Sequence, residues 1–136
     1  MVEKCNVFTY GTLMIPKILQ AVTGRVFAAE DAVLQGFARF CVTGESYPGI
    51  REEAGALTAG ILYKDVDPES LSSMDSFEGD QYERRMVTVI DREGRKHRAF
   101  AYVIAPAHVP GLSDQPWSLD KFKENNLVSF MGFSLK

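Results

Sequence analysis

The chain has little of what marks several large protein classes. Its 136 residues include two cysteines, Cys5 and Cys41, which are too few and too far apart for a disulfide framework or a zinc cluster. No apolar run reaches the roughly 18 residues that span a bilayer, and the first residues lack a signal peptide's apolar core. The 15 basic side chains against 18 acidic ones disfavour nucleic-acid binding. We therefore expect a soluble, cytoplasmic protein with neither a membrane nor a nucleic acid as partner.

The composition that is present is that of an ordinary globular domain. Apolar residues make up 46% of the chain and charged residues 24%, which excludes disordered, collagen-like and solenoid architectures. A domain of this length buries about 68% of the surface of its unfolded chain. We expect one domain over residues 1–136, with no indication of its oligomeric state.

Strand signals dominate the chain. Segments rich in β-branched and aromatic residues, bounded by turn residues, predict strands at 5–9, 31–43, 57–66, 86–91 and 98–104. Gly36 predicts a kink or bulge in the second segment. A turn at 91–95 predicts that the last two form a hairpin. Residues 43–49 and the proline-rich stretch 106–116 are predicted to be connectors.

Helix signals are fewer. A helix is predicted from Pro16 to about residue 23, one begins at Asp67 and Pro68, and one covers about 118–131. In the second, a spacing of three predicts a buried stripe of Leu71, Met74 and Phe77. The chain is therefore predicted to be α+β: a small mixed, mostly antiparallel β-barrel with flanking helices.

Common catalytic motifs are absent. The chain lacks the glycine-rich phosphate loop, the dinucleotide-binding Gly-x-Gly-x-x-Gly and the nucleophile elbow Gly-x-Ser-x-Gly. Neither histidine, His97 or His108, stands at metal-ligand spacing from another ligand. Cys41 with the distant His97 is a pairing that most chains contain by accident. We expect no metal and no cofactor.

The turn after the first strand is one candidate site. A strand here leads into Tyr-Gly-Thr-Leu at 10–13, where Gly11 suits backbone angles that other residues resist. Successive N–H groups in such a turn can form a concavity for an anion, reinforced by the start of a helix. A carboxylate would be a natural ligand. The alternative is an ordinary strand-to-helix turn.

Glu78 is the second candidate. It ends the predicted helix just before Gly79, where the helix dipole makes an acid cost about 0.3–1 kcal/mol. Acids close to it in the sequence should raise its pKa by repulsion: Asp75, Asp80 and Glu83. A pKa raised from about 4.3 lets a glutamate take and return a proton near neutrality. The alternative is a solvated helix end paired with Arg84 or Arg85.

Taken in order, the motifs of the chain resemble one family. They lie at 7–14, 23–25, 34–40, 47–50, 77–79, 82–84 and 101–103. Their order and spacing from about residue 6 to 105 resemble the γ-glutamylcyclotransferase-like superfamily, specifically its plant and fungal avirulence-induced-gene-like branch. The resemblance implies a β-barrel with a pocket at one mouth and cleavage of a γ-glutamyl amide or amine to 5-oxoproline and a free amine.

The resemblance also implies residue roles. Tyr10, Gly11, Thr12 and Leu13 would hold the γ-glutamyl group through backbone amides, and Glu78 would be the general acid and base. Further matching residues near the pocket are tyrosines and arginines. The tyrosines would bind substrate or be core aromatics with partnered hydroxyls: Tyr47, Tyr82 and Tyr102. For the arginines we expect structural ion pairs: Arg25, Arg39 and Arg84.

The sequence departs from the family at 14–16, where Met-Ile-Pro replaces the Arg/Lys-Gly of the γ-glutamylamine cyclotransferases, so the departing amine does not carry over. A second hypothesis is a non-catalytic module that binds a small acid or amide in the same pocket. A third is an interaction protein that uses the aromatic C-terminal helix (118–133), although such a helix more often covers the core.

Overall fold

A computed structural model describes residues 4–125 of the chain. The six strands are β1 (Cys5–Thr9), β2 (Ala29–Val42), β3 (Pro48–Val66), β4 (Tyr82–Asp91), β5 (Lys96–Ile104) and β6 (Leu112–Pro116). The helices are α1 (Pro16–Thr23), α2 (Pro68–Glu78) and α3 (Leu119–Asn125), with short 3-10 helices at Thr12–Met14 and Pro106–Gly111. No helix among the described residues is both long enough and apolar enough to cross a membrane.

Five strands close into a barrel, as predicted. The order β3-β1-β5-β4-β2 closes because β2 also pairs with β3, and β6 adds to β2 outside the ring. β1 and β5 run parallel, whereas the other paired neighbours are antiparallel. The parallel pair brings the C-terminal ends of β1 and β5 to one mouth of the barrel, and the antiparallel β4 begins there.

The predicted kink in β2 lies at Gly36. The register with β3 shifts between Gln35 and Phe37, and Gly36 has φ +86°, a backbone angle that L-residues resist. The partner strand is longer than the predicted 57–66, because β3 begins at Pro48 and runs for 19 residues. The connector predicted at 43–49 therefore ends two positions earlier than expected.

Two apolar clusters flank the barrel wall. Alternate residues of the strands point inward and fill the barrel: among them Phe8, Leu34, Ile50, Leu62 and Val89. The other faces of β1 and β3 pack outward against the helices through Val7, Ile18, Met74 and Phe122, among others. The first turn of α2 is capped as predicted, since Asp67 accepts a hydrogen bond from the Ser70 backbone.

The stripe predicted on α2 is only partly buried. Met74 is fully buried, but Leu71 and Phe77 are half-buried at its sides. Three residues rotate a helix by about 300°, so a spacing of three drifts by about 60° per step and leaves only the middle residue centred. Ser70, not part of the predicted stripe, is buried instead.

The prediction that residues 106–116 form only a connector is wrong. This stretch contains a 3-10 helix and the strand β6, which pairs with β2 through Phe40–Pro116 and Val42–Leu112. Leu112 is buried, so the segment packs on the barrel. Its partner strand is about 70 residues earlier in the chain, and local turn residues carry no signal of such a pairing.

The start of the C-terminal helix is confirmed, and its described part covers the core. The Ser118 hydroxyl caps α3 by accepting a hydrogen bond from Lys121 N, and Phe122 is 1% exposed. A buried Phe122 disfavours a free docking surface on this part of the helix. The predicted continuation to residue 131, with Leu127, Phe130 and Met131, lies outside the described residues.

Candidate active site

A cavity opens at the mouth where β1 and β5 end and β4 begins. It encloses about 320 Å³, part of which is open to solvent. Its wall contains every site residue that the sequence suggested: Tyr10, Gly11, Thr12, Leu13, Tyr47, Glu78, Tyr82 and Tyr102. Phe8, Thr9 and Pro48 complete it. The topology explains this assembly, because the loops that follow β1 and precede β4 meet at the same mouth.

The turn at 10–13 presents backbone donors that have no partner in the described part of the chain. Met14 N donates to the Gly11 carbonyl at 3.0 Å, which closes the 3-10 turn. Within residues 4–125, no acceptor lies in hydrogen-bond geometry to the N–H groups of Gly11, Thr12 and Leu13. Thr12 and Leu13 are buried, and a buried donor without a partner is costly unless a ligand satisfies it.

Gly11 meets two conditions that favour glycine. Its φ of −127° and ψ of −136° lie outside the helical and extended regions of L-residues, as the sequence indicated. A Cβ atom at this position would lie 2.9 Å from Pro48 Cγ, closer than carbon atoms pack. The missing side chain therefore lets the turn approach the start of β3, which forms the opposite wall of the cavity.

Glu78 ends α2 with its side chain in the cavity wall. It is half-buried, and burial raises the pKa of its carboxyl group from about 4.5 to about 8. The predicted direction of the shift is confirmed, but the predicted cause, repulsion by neighbouring acids, is wrong. No described residue forms a hydrogen bond or ion pair with this carboxyl group. Arg84 and Arg85 pair with other acids, which contradicts the solvated, arginine-paired alternative.

Tyr10 and Tyr82 contribute aromatic wall, while their hydroxyls bond to the backbone. The Tyr10 hydroxyl donates to the Tyr102 carbonyl at 2.5 Å, and the Tyr82 hydroxyl donates to the Pro48 carbonyl at 2.6 Å. Burial raises the pKa of both phenols above the ordinary range. For Tyr82 the second cause is the nearby charge of Glu78. Both hydroxyls stay protonated and hold the cavity wall together.

Tyr102 and Tyr47 differ in their hydroxyl partners. The Tyr102 hydroxyl donates to Asp75 Oδ1 at 2.6 Å, and Asp75 Oδ2 pairs with Arg84 at the same distance. The Tyr47 hydroxyl accepts from the Gln81 side chain at 3.1 Å, which leaves its proton free for another acceptor. As far as residues 4–125 show, Tyr47 is thus the cavity tyrosine whose hydroxyl proton is left for a ligand.

The arginine expectation holds for two of three residues. Arg84 pairs with an acid as described, and Arg25 lies 3.9 Å from Asp67, within ion-pair distance. For Arg39 the expectation is wrong, since no acid of the described part of the chain pairs with it. Arg39 instead donates to the Tyr10 carbonyl at 2.8 Å and stacks on Trp117.

Comparison with known proteins assigns the chain to a family. A family model described as "Gamma-glutamyl cyclotransferase, AIG2-like" matches residues 7–119. The chain belongs to this family. The match covers most of the chain and includes both halves of the site, the turn at 10–13 and Glu78.

Individual relatives agree with this AIG2-like assignment. Protein AIG2 C of Arabidopsis thaliana is 32% identical over 127 residues, covering 93% of this chain and 76% of that protein. An Arabidopsis thaliana protein solved in solution superposes with a TM-score of 0.74 at 25% identity, covering 95% of this chain and 87% of its own. A gamma-glutamyl cyclotransferase structure gives a TM-score of 0.70 at 20% identity, covering 97% and 86%, which supports the shared fold alone.

A second polar cluster lies at the far end of the β4–β5 hairpin. Donor atoms of Glu30, Asp91 and His97 lie within 4.8 Å of one another, a set that can hold a divalent cation. His97 Nε2 is 2.8 Å from Asp91 Oδ2, and Lys64 Nζ is 3.2 Å from Glu30 Oε1. Sequence spacing missed this cluster because its members come from different strands.

Proposed function

We propose that this AIG2-like protein is a γ-glutamylcyclotransferase, which converts a γ-glutamyl amide or amine to 5-oxoproline and a free amine. One observation carries the proposal. The carboxyl group of Glu78, with a pKa of about 8, shares a cavity with three backbone N–H groups that bond to no described residue. This combination supplies a base matched to neutral pH and donors for an oxyanion or carboxylate. Family membership supports the same reaction class.

The turn at 10–13 would bind the substrate. Its N–H groups suit either the α-carboxylate or the γ-carbonyl oxygen of a γ-glutamyl group, since both are acceptors without protons. Donors aimed at the γ-carbonyl oxygen would also stabilise the negative charge that develops there during attack. The buried tyrosine rings of the wall exclude water around the bound group, which strengthens these hydrogen bonds.

Glu78 would move the proton. The carboxylate takes a proton from the substrate's α-ammonium group, and the freed amine attacks the γ-carbonyl carbon of the same molecule. The new C–N bond closes the five-membered ring and the original C–N bond breaks. Glu78 returns its proton to the departing nitrogen and relays the second proton of the attacking amine to it as well, so the ring nitrogen keeps one hydrogen and the amine leaves as an ammonium ion. An α-amino group has a pKa of about 7.7–8.0, so a carboxyl pKa of about 8 makes the first transfer nearly balanced.

The nucleophile and electrophile belong to one molecule, so the protein needs mainly to hold the folded conformer. An open depression shares Tyr82 and Tyr102 with the cavity and gives the departing amine a route to solvent. The reaction is redox-neutral and brings its own nucleophile, so its chemistry needs no cofactor.

The test is a screen of γ-glutamyl amides and amines for 5-oxoproline release, with Glu78→Gln as the matched control. We expect release by the wild-type protein with at least one amine, and a rate lower by about 10²–10⁴-fold in the variant. Thermal stabilisation by a γ-glutamyl compound without any 5-oxoproline over hours would contradict catalysis and favour the binding-module hypothesis.

A further inference from the structure

Arg39 lies behind the amide-lined turn and outside the cavity wall. Its Nη1 donates to the Tyr10 carbonyl at 2.8 Å and lies 3.3 Å from the Ala59 carbonyl of β3. Arg39 therefore connects β2 to the turn through hydrogen bonds to carbonyl groups, and not through the ion pair that we expected for it. A guanidinium that donates to backbone carbonyls neutralises no acid; it orients the peptide groups to which it bonds.

The geometry of the peptide bond connects this contact to the cavity. The bond between Tyr10 and Gly11 is trans, because none of the described peptide bonds is cis. In a planar trans peptide, the carbonyl of one residue and the N–H of the next point in opposite directions. Fixing the Tyr10 carbonyl toward Arg39 therefore turns the Gly11 N–H away from Arg39. Gly11 is in the cavity wall and Arg39 is not.

Arg39 is itself held in place. Its guanidinium lies over the Trp117 ring, 5.3 Å from the centroid, and Trp117 is 6% exposed. Trp117 Nε1 donates to the Ser46 carbonyl at 2.8 Å, which fixes the ring plane. A cation that is stacked on an anchored ring has few other positions to adopt, so its direction toward the turn is preorganised.

We propose that Arg39 is a positioning residue for the substrate's acceptor group: it directs the Gly11 N–H into the cavity and strengthens it as a donor. The strengthening follows because a positive charge on the carbonyl polarises the whole peptide unit. This proposal rests on the proposed function for the identity of the ligand, a γ-glutamyl compound or its product 5-oxoproline. Arg39 acts through the backbone and touches neither ligand nor reacting atoms.

The experiment compares Arg39→Met and Arg39→Lys with a matched arginine, Arg51→Met. Arg51 is in β3 and also stacks on an aromatic ring, Phe40, at 4.5 Å, but it is not part of the turn's contacts. The measurements are the dissociation constant for 5-oxoproline, the ¹⁵N–H resonance of Gly11, and kcat and KM for a γ-glutamyl amide.

We expect Arg39→Met to weaken 5-oxoproline binding about tenfold, to raise KM more than it lowers kcat, and to shift the Gly11 resonance. Arg39→Lys retains a cationic donor and should bind more tightly than Arg39→Met, whereas Arg51→Met should bind as the wild type does. The pH midpoint of kcat/KM should be the same in all variants, because Glu78 is untouched.

Two results would overturn the proposal: unchanged 5-oxoproline binding in Arg39→Met, or equal weakening in Arg51→Met. Failure of the wild type to bind 5-oxoproline would overturn it as well. A wild type that binds 5-oxoproline but turns over no γ-glutamyl amide would contradict the proposed function only. In that case, selective weakening in Arg39→Met would still support the positioning role.

Discussion

The hydroxyl of Tyr102 donates a hydrogen bond of 2.6 Å to the carboxylate of Asp75, one helical turn before Glu78. Tyr102 belongs to β5 and Asp75 to α2, so this bond ties the end of the helix to the barrel wall. Arg84 of β4 holds the other carboxylate oxygen at 2.6 Å. The helix end that carries the proposed acid and base is thus bound to two strands, which fixes where Glu78 enters the cavity.

Tyr102→Phe tests this attachment. Loss of the bond should lower kcat about tenfold, because Glu78 loses its position while the cavity keeps its aromatic ring. Asp75→Ala removes this bond and the Arg84 pair together, so it should lower kcat at least as much, and the double variant should cost little more than Asp75→Ala alone. Ser73→Ala is the control, since it removes an exposed α2 hydroxyl that bonds only to its own helix. Wild-type kcat in both single variants would contradict the role.

Gly11→Ala tests the close approach of the turn to β3. The added methyl group would lie 2.9 Å from Pro48 Cγ, so the turn must move and its N–H groups lose their alignment. We expect a loss of about 1–3 kcal/mol in the free energy of unfolding and a large fall in kcat/KM. Gly111→Ala is the matched control, because apart from its chain neighbours no described residue has a heavy atom within 4 Å of a Cβ there. Equal activities of the two variants would argue against the packing explanation.

The raised pKa of Glu78 predicts a pH-dependent stability difference. The carboxyl group has a pKa of about 8 in the folded protein and of about 4.3 in the unfolded chain. The folded state therefore binds more protons between these values, so the wild type loses stability as the pH rises. Glu78→Gln does not titrate, and its melting temperature relative to the wild type should rise from pH 5 to pH 8. A difference that is constant with pH, or that falls, would show that Glu78 is not buried as described.

Local signals indicated two parts of the site, and the family resemblance added the cavity tyrosines. Gly-Thr after a strand indicated the turn at 10–13, and a glutamate at a helix end before Gly79 indicated Glu78. These signals depend on neighbouring residues, so a sequence shows them directly. The strand β1, the hairpin of β4 and β5 and the Asp67 cap were predictable for the same reason.

Long-range contacts were not predictable in this way. The pairing of β6 with β2, the burial that raises the Glu78 pKa and the approach of Pro48 to Gly11 join residues far apart in the chain. Arg39 is the clearest case, because an arginine in a strand gives no sign that it will reach a carbonyl 29 residues earlier. Charge neutralisation was the natural expectation for it, and only the fold reveals the carbonyl contact.

The most direct test of the account is 5-oxoproline release from γ-glutamyl amides by the wild type and by Glu78→Gln, at equal protein concentration and across pH 6–9. The account predicts release by the wild type that rises toward a pH of about 8, where Glu78 becomes a carboxylate, and a rate lower by about 10²–10⁴-fold in the variant. Full turnover by Glu78→Gln, with the fold intact, would contradict it.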